Sequence, residues 1–236
     1  MYKVLITTSG TGSRLGKLTA TTNKSLITIG NKRVIDRIIS SYDRNIPLVI
    51  TLGYYGDKVQ NYVSSTYPDR HITFVQVDPY EGPGSSLGYS LLSAKNDLQC
   101  PFIFHCNDTI VDGPIPTPEK KNWDGVSLGS NPDIFNTTQY SSVIIRNNQI
   151  TALQPKGADS FDGFHIGIVG IKDYESFWTY LEKEYEKNPN DTTLNDCSAI
   201  TLMLKEGIPF RGVHFKNWID TGNPVSFEEA NRLLSA

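Results

Sequence analysis

No stretch of 18 apolar residues occurs in the chain, which excludes a membrane-spanning helix. Clusters of lysine and arginine are missing as well. With 22 basic against 25 acidic residues the formal net charge is −3, so the electrostatic footprint of a general nucleic-acid binder is absent. Cysteine is scarce: Cys100, Cys106 and Cys197 are odd in number and share no metal-ligand spacing. That argues against a disulfide framework and a zinc site, and reads them as reduced thiols. Strand-like residues begin at Lys3, leaving no room for a basic segment, an apolar signal core and a cleavage site, so the expected location is cytoplasmic. Internal repeats and low-complexity tracts are also lacking.

What is present suits one domain over residues 1–236. A chain of this length buries roughly 70–75% of its unfolded surface, so a real core is expected. Through the first half, short apolar runs ("KVLIT", "PLVITL", "ITFVQV", "PFIFHC") alternate with helical patterns ("VIDRIISSY", "GDKVQNYVSS", "LGYSLLSA"). This is the rhythm of an α/β fold with a doubly wound, mostly parallel sheet. Val34, Ile35, Ile38, Ile39 and Tyr42 share a helix face and read as core. From about Gly125 the pattern changes to strand-like stretches joined by turns, with "RNNQ" as a hairpin turn, which implies a small antiparallel section. A helix with Asp173 as its cap follows, then a strand "PFRGVHF" and a closing helix from Pro224. The change of pattern near Gly125 divides the chain into residues 1–124 and residues 125–236.

In a parallel sheet the first βα loop is the usual phosphate cradle, and Ser9 to Leu15 fall there. Two familiar motifs fail by counting. The dinucleotide fingerprint requires a small residue where Leu15 stands, and the P-loop requires Gly where Thr11 stands. What remains is Gly10-Thr11-Gly12-Ser13-Arg14-Leu15, Leu18-Thr19 and Asn23-Lys24-Ser25-Leu26.

This pattern resembles the signature of the nucleoside-triphosphate transferase family, the sugar-1-phosphate nucleotidyltransferases, with their Rossmann-like, GT-A-like fold. The resemblance continues along the chain. "FHCNDTIV" and "NWIDTGNP" are similar to the two segments that carry the family's metal carboxylates, which maps these onto Asp108 and Asp220 and implies Mg²⁺ as cofactor. The resemblance places nucleotide contacts on Thr7, Thr8, Ser9, Gly10, Thr11, Gly12 and Ser13, and base contacts on Gln76, Gly84, Ser85 and Ser86. Arg14, Lys24, Asp108 and Asp220 are the implied catalytic residues, and Tyr140, Ser142, Gln154 and Lys156 the implied acceptor contacts, which makes residues 1–124 the implied nucleotide-binding part and 125–236 the implied acceptor-binding part.

The implied reaction joins a nucleoside triphosphate to a phosphorylated acceptor and releases pyrophosphate. Both reactants are anions. A pair of like charges at 4 Å costs about 4 kcal/mol at an effective dielectric near 20, so cations matter more than bases. A phosphomonoester is mostly dianionic at neutral pH and needs no general base, which accords with the lack of an obvious His–Asp pair. Arg14, a planar fork, suits the β- and γ-phosphates; Lys24, a point charge, suits the α- or acceptor phosphate.

Several positions depart from the family pattern. Thr8 and Ser9 replace two alanines, and their hydroxyls are expected to alter base contacts. Asn23 replaces a proline, which loses a fixed φ and is expected to loosen the loop. Gln154 stands where a sugar-binding carboxylate is usual. The resemblance implies a sugar 1-phosphate bound for surface polysaccharide as the acceptor, while the altered positions favour the alternative of a non-sugar phosphate, as in the phosphocholine cytidylyltransferase-like branch. A non-catalytic nucleotide-sensing or scaffold subunit is the rival from another class, and a homo-oligomer remains open.

Overall fold

The structure is a computed structural model that describes residues 1–129 and 137–235. Its elements, in chain order, are β1 (Lys3–Thr7), the short pair β2 (Thr28–Ile29) and β3 (Lys32–Arg33), α1 (Val34–Ser40), β4 (Leu48–Leu52), α2 (Gly56–Thr66), β5 (Ile72–Gln76) and α3 (Leu87–Ser93). There follow β6 (Phe102–Cys106), β7 (Thr109–Val111), β8 (Asn122–Ser127), β9 (Ser142–Arg146), β10 (Gln149–Gln154) and β11 (Gly163–Ile171). The chain closes with α4 (Tyr174–Lys187), α5 (Asp196–Lys205), β12 (Phe210–His214), β13 (Trp218–Asp220) and α6 (Pro224–Leu234).

Among the described residues, nine strands form one sheet in the order β5-β4-β1-β6-β11-β8-β12-β10-β9. The first four are parallel, as their alternation with helices requires. The expected antiparallel section is not a separate unit. It continues the same sheet, because β11 runs antiparallel beside β6 and beside β8. The far edge curls back: β9 pairs with β10 and also with β11.

Side chains alternate between the faces of each central strand, and both faces are buried. Val4 and Ile6 join the core that holds the α1 stripe, while Leu5 joins the one that holds Phe177, Trp178 and Leu181 of α4. The "RNNQ" hairpin forms as expected, with Asn147 and Asn148 at φ 52° and 62°, values a two-residue type I′ turn demands. Asp173 sits just before α4, but its side chain does not cap the helix. Its Oδ2 instead accepts from Asn122 Nδ2 at 2.7 Å, which ties the helix start to β8.

His105, in β6, is a structural residue. Its Nε2 lies 2.8 Å from the Thr109 carbonyl, an acceptor only, so that nitrogen carries the proton and Nδ1 accepts from the Tyr42 hydroxyl at 2.6 Å. Burial lowers its pKa to about 4, against the small raising effects of Thr109 and Asp108. The unfolded chain takes up a proton below about pH 6.5 that folded His105 refuses until about pH 4. This contribution, on the order of 3 kcal/mol, is therefore complete above pH 6.5 and lost as pH falls through that window. Denaturant titrations from pH 7 to pH 4 are expected to show a His105→Gln variant losing about one proton's worth of the acid slope. Equal slopes in variant and wild type would refute the assignment.

Candidate active site

The loop after β1 is shaped by two features. Gly12 has φ 65°, and a Cβ there would lie 3.0 Å from Thr19 Cγ2 and 3.3 Å from Lys24 Cβ, so only glycine lets the loop fold onto the Lys24 segment. Asn23 is the other, and it corrects the expectation of a looser loop. Fully buried, it donates through Nδ2 to the carbonyls of Thr8 and Tyr54, both at 2.7 Å, and accepts from Ser25 N at 2.9 Å. Its φ of −72° is one a proline would adopt, so three hydrogen bonds replace the ring as the constraint.

Lys24, pinned in this way, reaches Asp108 at the end of β6. Nζ lies 2.7 Å from Oδ2, and Arg14 Nη2 approaches the same oxygen at 3.9 Å from a side chain that is 59% exposed. Arg14 is thus held at one end and free to meet a ligand. Burial opposes the charge on Asp108, but Lys24, the Cys106 thiol and Arg14 outweigh it and hold the carboxyl well below the usual range. Burial likewise works against the Lys24 ammonium, and Asp108 more than offsets it.

The second carboxylate arrives through β13. This strand pairs antiparallel with β7, setting Asp220 opposite Thr109, the residue after Asp108, and Thr221 N donates to the Asp108 carbonyl at 2.8 Å. Asp220 is held firmly. Its Oδ2 accepts from the Tyr140 hydroxyl (2.8 Å), Asn223 Nδ2 (3.0 Å) and Ser226 Oγ (2.7 Å), and its Oδ1 from Gly222 N (2.9 Å). Burial and the charge on Asp108 still push its pKa up against those donors. Tyr140 and Trp218 meet edge to face at 5.1 Å, and Trp218, 2% exposed, packs in the core beside this loop.

The two carboxylates face one point. A Cβ added at Gly222 would lie 2.9 Å from Asp108 Oδ2, 3.0 Å from Asp220 Oδ1 and 3.3 Å from Arg14 Nη2. Like charges so close raise the proton affinity of the weaker partner, and a cation at that point relieves them. The residues present fit a divalent metal.

Cavities lie on either side. One is lined by Thr7, Ser9, Gly10, Thr11, Ser85 and Ser86 together with Lys24 and Asp108; the other reaches Tyr140, Lys156 and Asp220. Arg14 and Asp108 line both. The remaining sequence-derived residues stand elsewhere. Thr8 is fully buried and donates to the Thr51 carbonyl; its hydroxyl is spent on β4 rather than turned to a ligand. Ser13 and Gln76, the latter at the end of β5, are exposed outside the lining, and the half-buried Gly84 is outside it as well. Ser142 is buried and donates to Gln154 Oε1 at 3.3 Å, and neither lines the second cavity. Tyr80 and Ser90 in the first cavity, and His165, Asp196 and Cys197 in the second, had no motif to announce them.

No family model matches the chain. It is 25% identical over 232 residues to a bifunctional GlmU protein of Methanococcus maripaludis, covering 96% of this chain and 53% of that protein. The chain spans about half the length of the curated relatives it matches. Among solved structures, the CTP:phosphocholine cytidylyltransferase of Streptococcus pneumoniae superposes with a TM-score of 0.81 at 16% identity, covering 99% of both chains. The inositol-1-phosphate CTP transferase of T. maritima superposes with a TM-score of 0.75 at 17% identity, covering 100% of this chain and 95% of that one. The fold is that of these nucleotidyltransferases, and the resemblance read from the motifs extends over the whole chain. Among the described residues no helix is long and apolar enough to cross a membrane.

Proposed function

We propose that the protein is a magnesium-dependent nucleotidyltransferase that moves a nucleoside monophosphate from a triphosphate to a phosphorylated small molecule. One observation carries this reading: Arg14 and Asp108 form a shared wall between two cavities, with Lys24 and Asp220 beside it. Such a wall suits two anions that must meet. The nucleotide occupies the cavity of the Gly10–Gly12 loop and the acceptor phosphate that of Lys156. An acceptor oxygen attacks the α-phosphorus, the bond to the β-phosphate oxygen breaks, and pyrophosphate departs with that electron pair. Lys24, fixed and charged, draws the reacting phosphates together, while the more mobile Arg14 follows the charge growing on pyrophosphate. Asp108 Oδ2 and Asp220 Oδ1 would hold Mg²⁺, whose chemistry is to neutralise and template phosphate oxygens.

A sugar 1-phosphate, made ready as a nucleoside-diphosphate sugar for surface polysaccharide, is the leading acceptor. Gln154 favours a second: its amide oxygen is engaged by Ser142 outside the cavity, so the family's sugar-reading carboxylate has no counterpart there, which suits a non-sugar phosphate such as phosphocholine.

Thermal unfolding with CTP, UTP, dTTP, ATP and GTP, each with and without Mg²⁺, tests the reading without knowledge of the acceptor. Ligand at 100 times its Kd adds about 2.7 kcal/mol, and each kcal/mol moves the melting temperature of a chain this size by about 2–4 °C. A Mg²⁺-dependent rise with one nucleotide is expected; no rise with any would count against it.

A further inference from the structure

The second cavity has an ionisable cluster in its wall that the transfer reaction leaves unused. His165, on β11, is flanked by Asp124 of β8, whose Oδ1 lies 2.8 Å from Nδ1, and by Asp196, whose Oδ2 lies 3.1 Å from Nε2. Asp196 and Cys197 are the first two residues of α5. One donor atom from each of His165, Asp196 and Cys197 can be chosen so that all three lie within 4.8 Å of one another. All three residues line the cavity.

We propose that His165, Asp196 and Cys197 bind a divalent ion of the zinc class. The donor set is the first argument. One imidazole, one carboxylate and one thiolate suit a borderline ion rather than Mg²⁺, and three protein ligands leave a fourth position for a ligand in the cavity. The second argument is the Asp124–His165 contact: metal-bound imidazoles characteristically give their other N–H to a carboxylate, which fixes the ring. The third is a pair of orphans. Asp196 Oδ2, close as it is to Nε2, has no hydrogen-bond partner, and neither has Asp124 Oδ2, though the two residues are only 3% and 0% exposed. Two atoms 3.1 Å apart without the alignment of a donor and acceptor are placed as ligands of one ion are, since tetrahedral N and O ligands at about 2.0 Å stand about 3.3 Å apart. Spacing along the chain could not show this site: His165 is remote in sequence from the other two.

Cobalt(II) is the probe. Metal-stripped protein titrated with Co²⁺ alone, with no nucleotide, is expected to gain one equivalent of a near-ultraviolet thiolate-to-cobalt charge-transfer band. The band should vanish in Cys197→Ser and persist in Cys106→Ser, which removes the other thiol of this cavity. Asp124→Asn should weaken Co²⁺ binding by about 10- to 100-fold while keeping the band. Absence of the band in wild type, or its survival in Cys197→Ser, would overturn the proposal. Should Cys197→Ser fail to fold, alkylation mapping of wild type decides: one equivalent of Zn²⁺ is expected to protect Cys197, and equal labelling with and without Zn²⁺ would overturn the proposal. Neither readout involves nucleotide transfer, so the outcome is independent of that reaction.

Discussion

An Asp108→Asn variant is expected to keep its fold and lose about 10³-fold in turnover, on the order of 4 kcal/mol of transition-state stabilisation. Three roles fail together. The carboxylate that holds Lys24 at 2.7 Å and draws Arg14 to 3.9 Å becomes a neutral amide, and one of the two anionic oxygens facing Gly222 is lost. Lys24, 14% exposed, is left with a poorly compensated charge, so the melting temperature should fall by several degrees without a change in far-ultraviolet circular dichroism. Initial rates of pyrophosphate release measure the first effect. Full activity in the variant would remove Asp108 from the metal site.

Gly222→Ala is expected to reduce turnover by about 10²-fold or more and to lower the melting temperature measurably without unfolding the chain. The backbone there has no positive φ and accepts alanine; the obstacle is the methyl group, 2.9 Å from Asp108 Oδ2 and 3.0 Å from Asp220 Oδ1. Each carboxylate is tethered and yields only by straining its hydrogen bonds. Lys24 holds one, and Tyr140, Asn223 and Ser226 hold the other. On the proposed reading the methyl takes the place of the ion and splays the pair. The concentration of Mg²⁺ needed for half-maximal rate should rise sharply; an unchanged Mg²⁺ dependence would show that no metal sits there.

Much of this was legible in the chain because it is local. The β1 loop, the α1 stripe, the Asn147-Asn148 turn and Pro224 at the start of α6 are set by neighbours within a few residues, and each formed where the pattern put it. The order of strands in the sheet is not local. Nothing in "GFHIGIVGI" says that β11 lies between β6 and β8, or that β9 returns to it, because strand partners are chosen by the packing of the whole sheet. Asn23 misled for a related reason: the loss of a proline is visible in sequence, whereas the carbonyls of Thr8 and Tyr54 that compensate for it are visible only in space. The donors to Asp220 were half visible. Asn223 and Ser226 lie within six residues of it, while Tyr140 is 80 residues away in sequence, just before β9. Of the four base contacts that the resemblance implies, Ser85 and Ser86 line the first cavity, while Gln76 and Gly84 lie outside its lining.

The most direct measurement is pyrophosphate release with each of the five nucleotides against a sugar 1-phosphate panel and phosphocholine, in Mg²⁺ and in chelator, with the product identified by mass. One nucleotide and one acceptor are expected to give equimolar pyrophosphate and nucleoside-diphosphate derivative in Mg²⁺ and neither in chelator. A nucleotide that binds and raises the melting temperature, yet yields no pyrophosphate with either class of acceptor, would contradict the transfer reaction and leave nucleotide sensing as the function of the site.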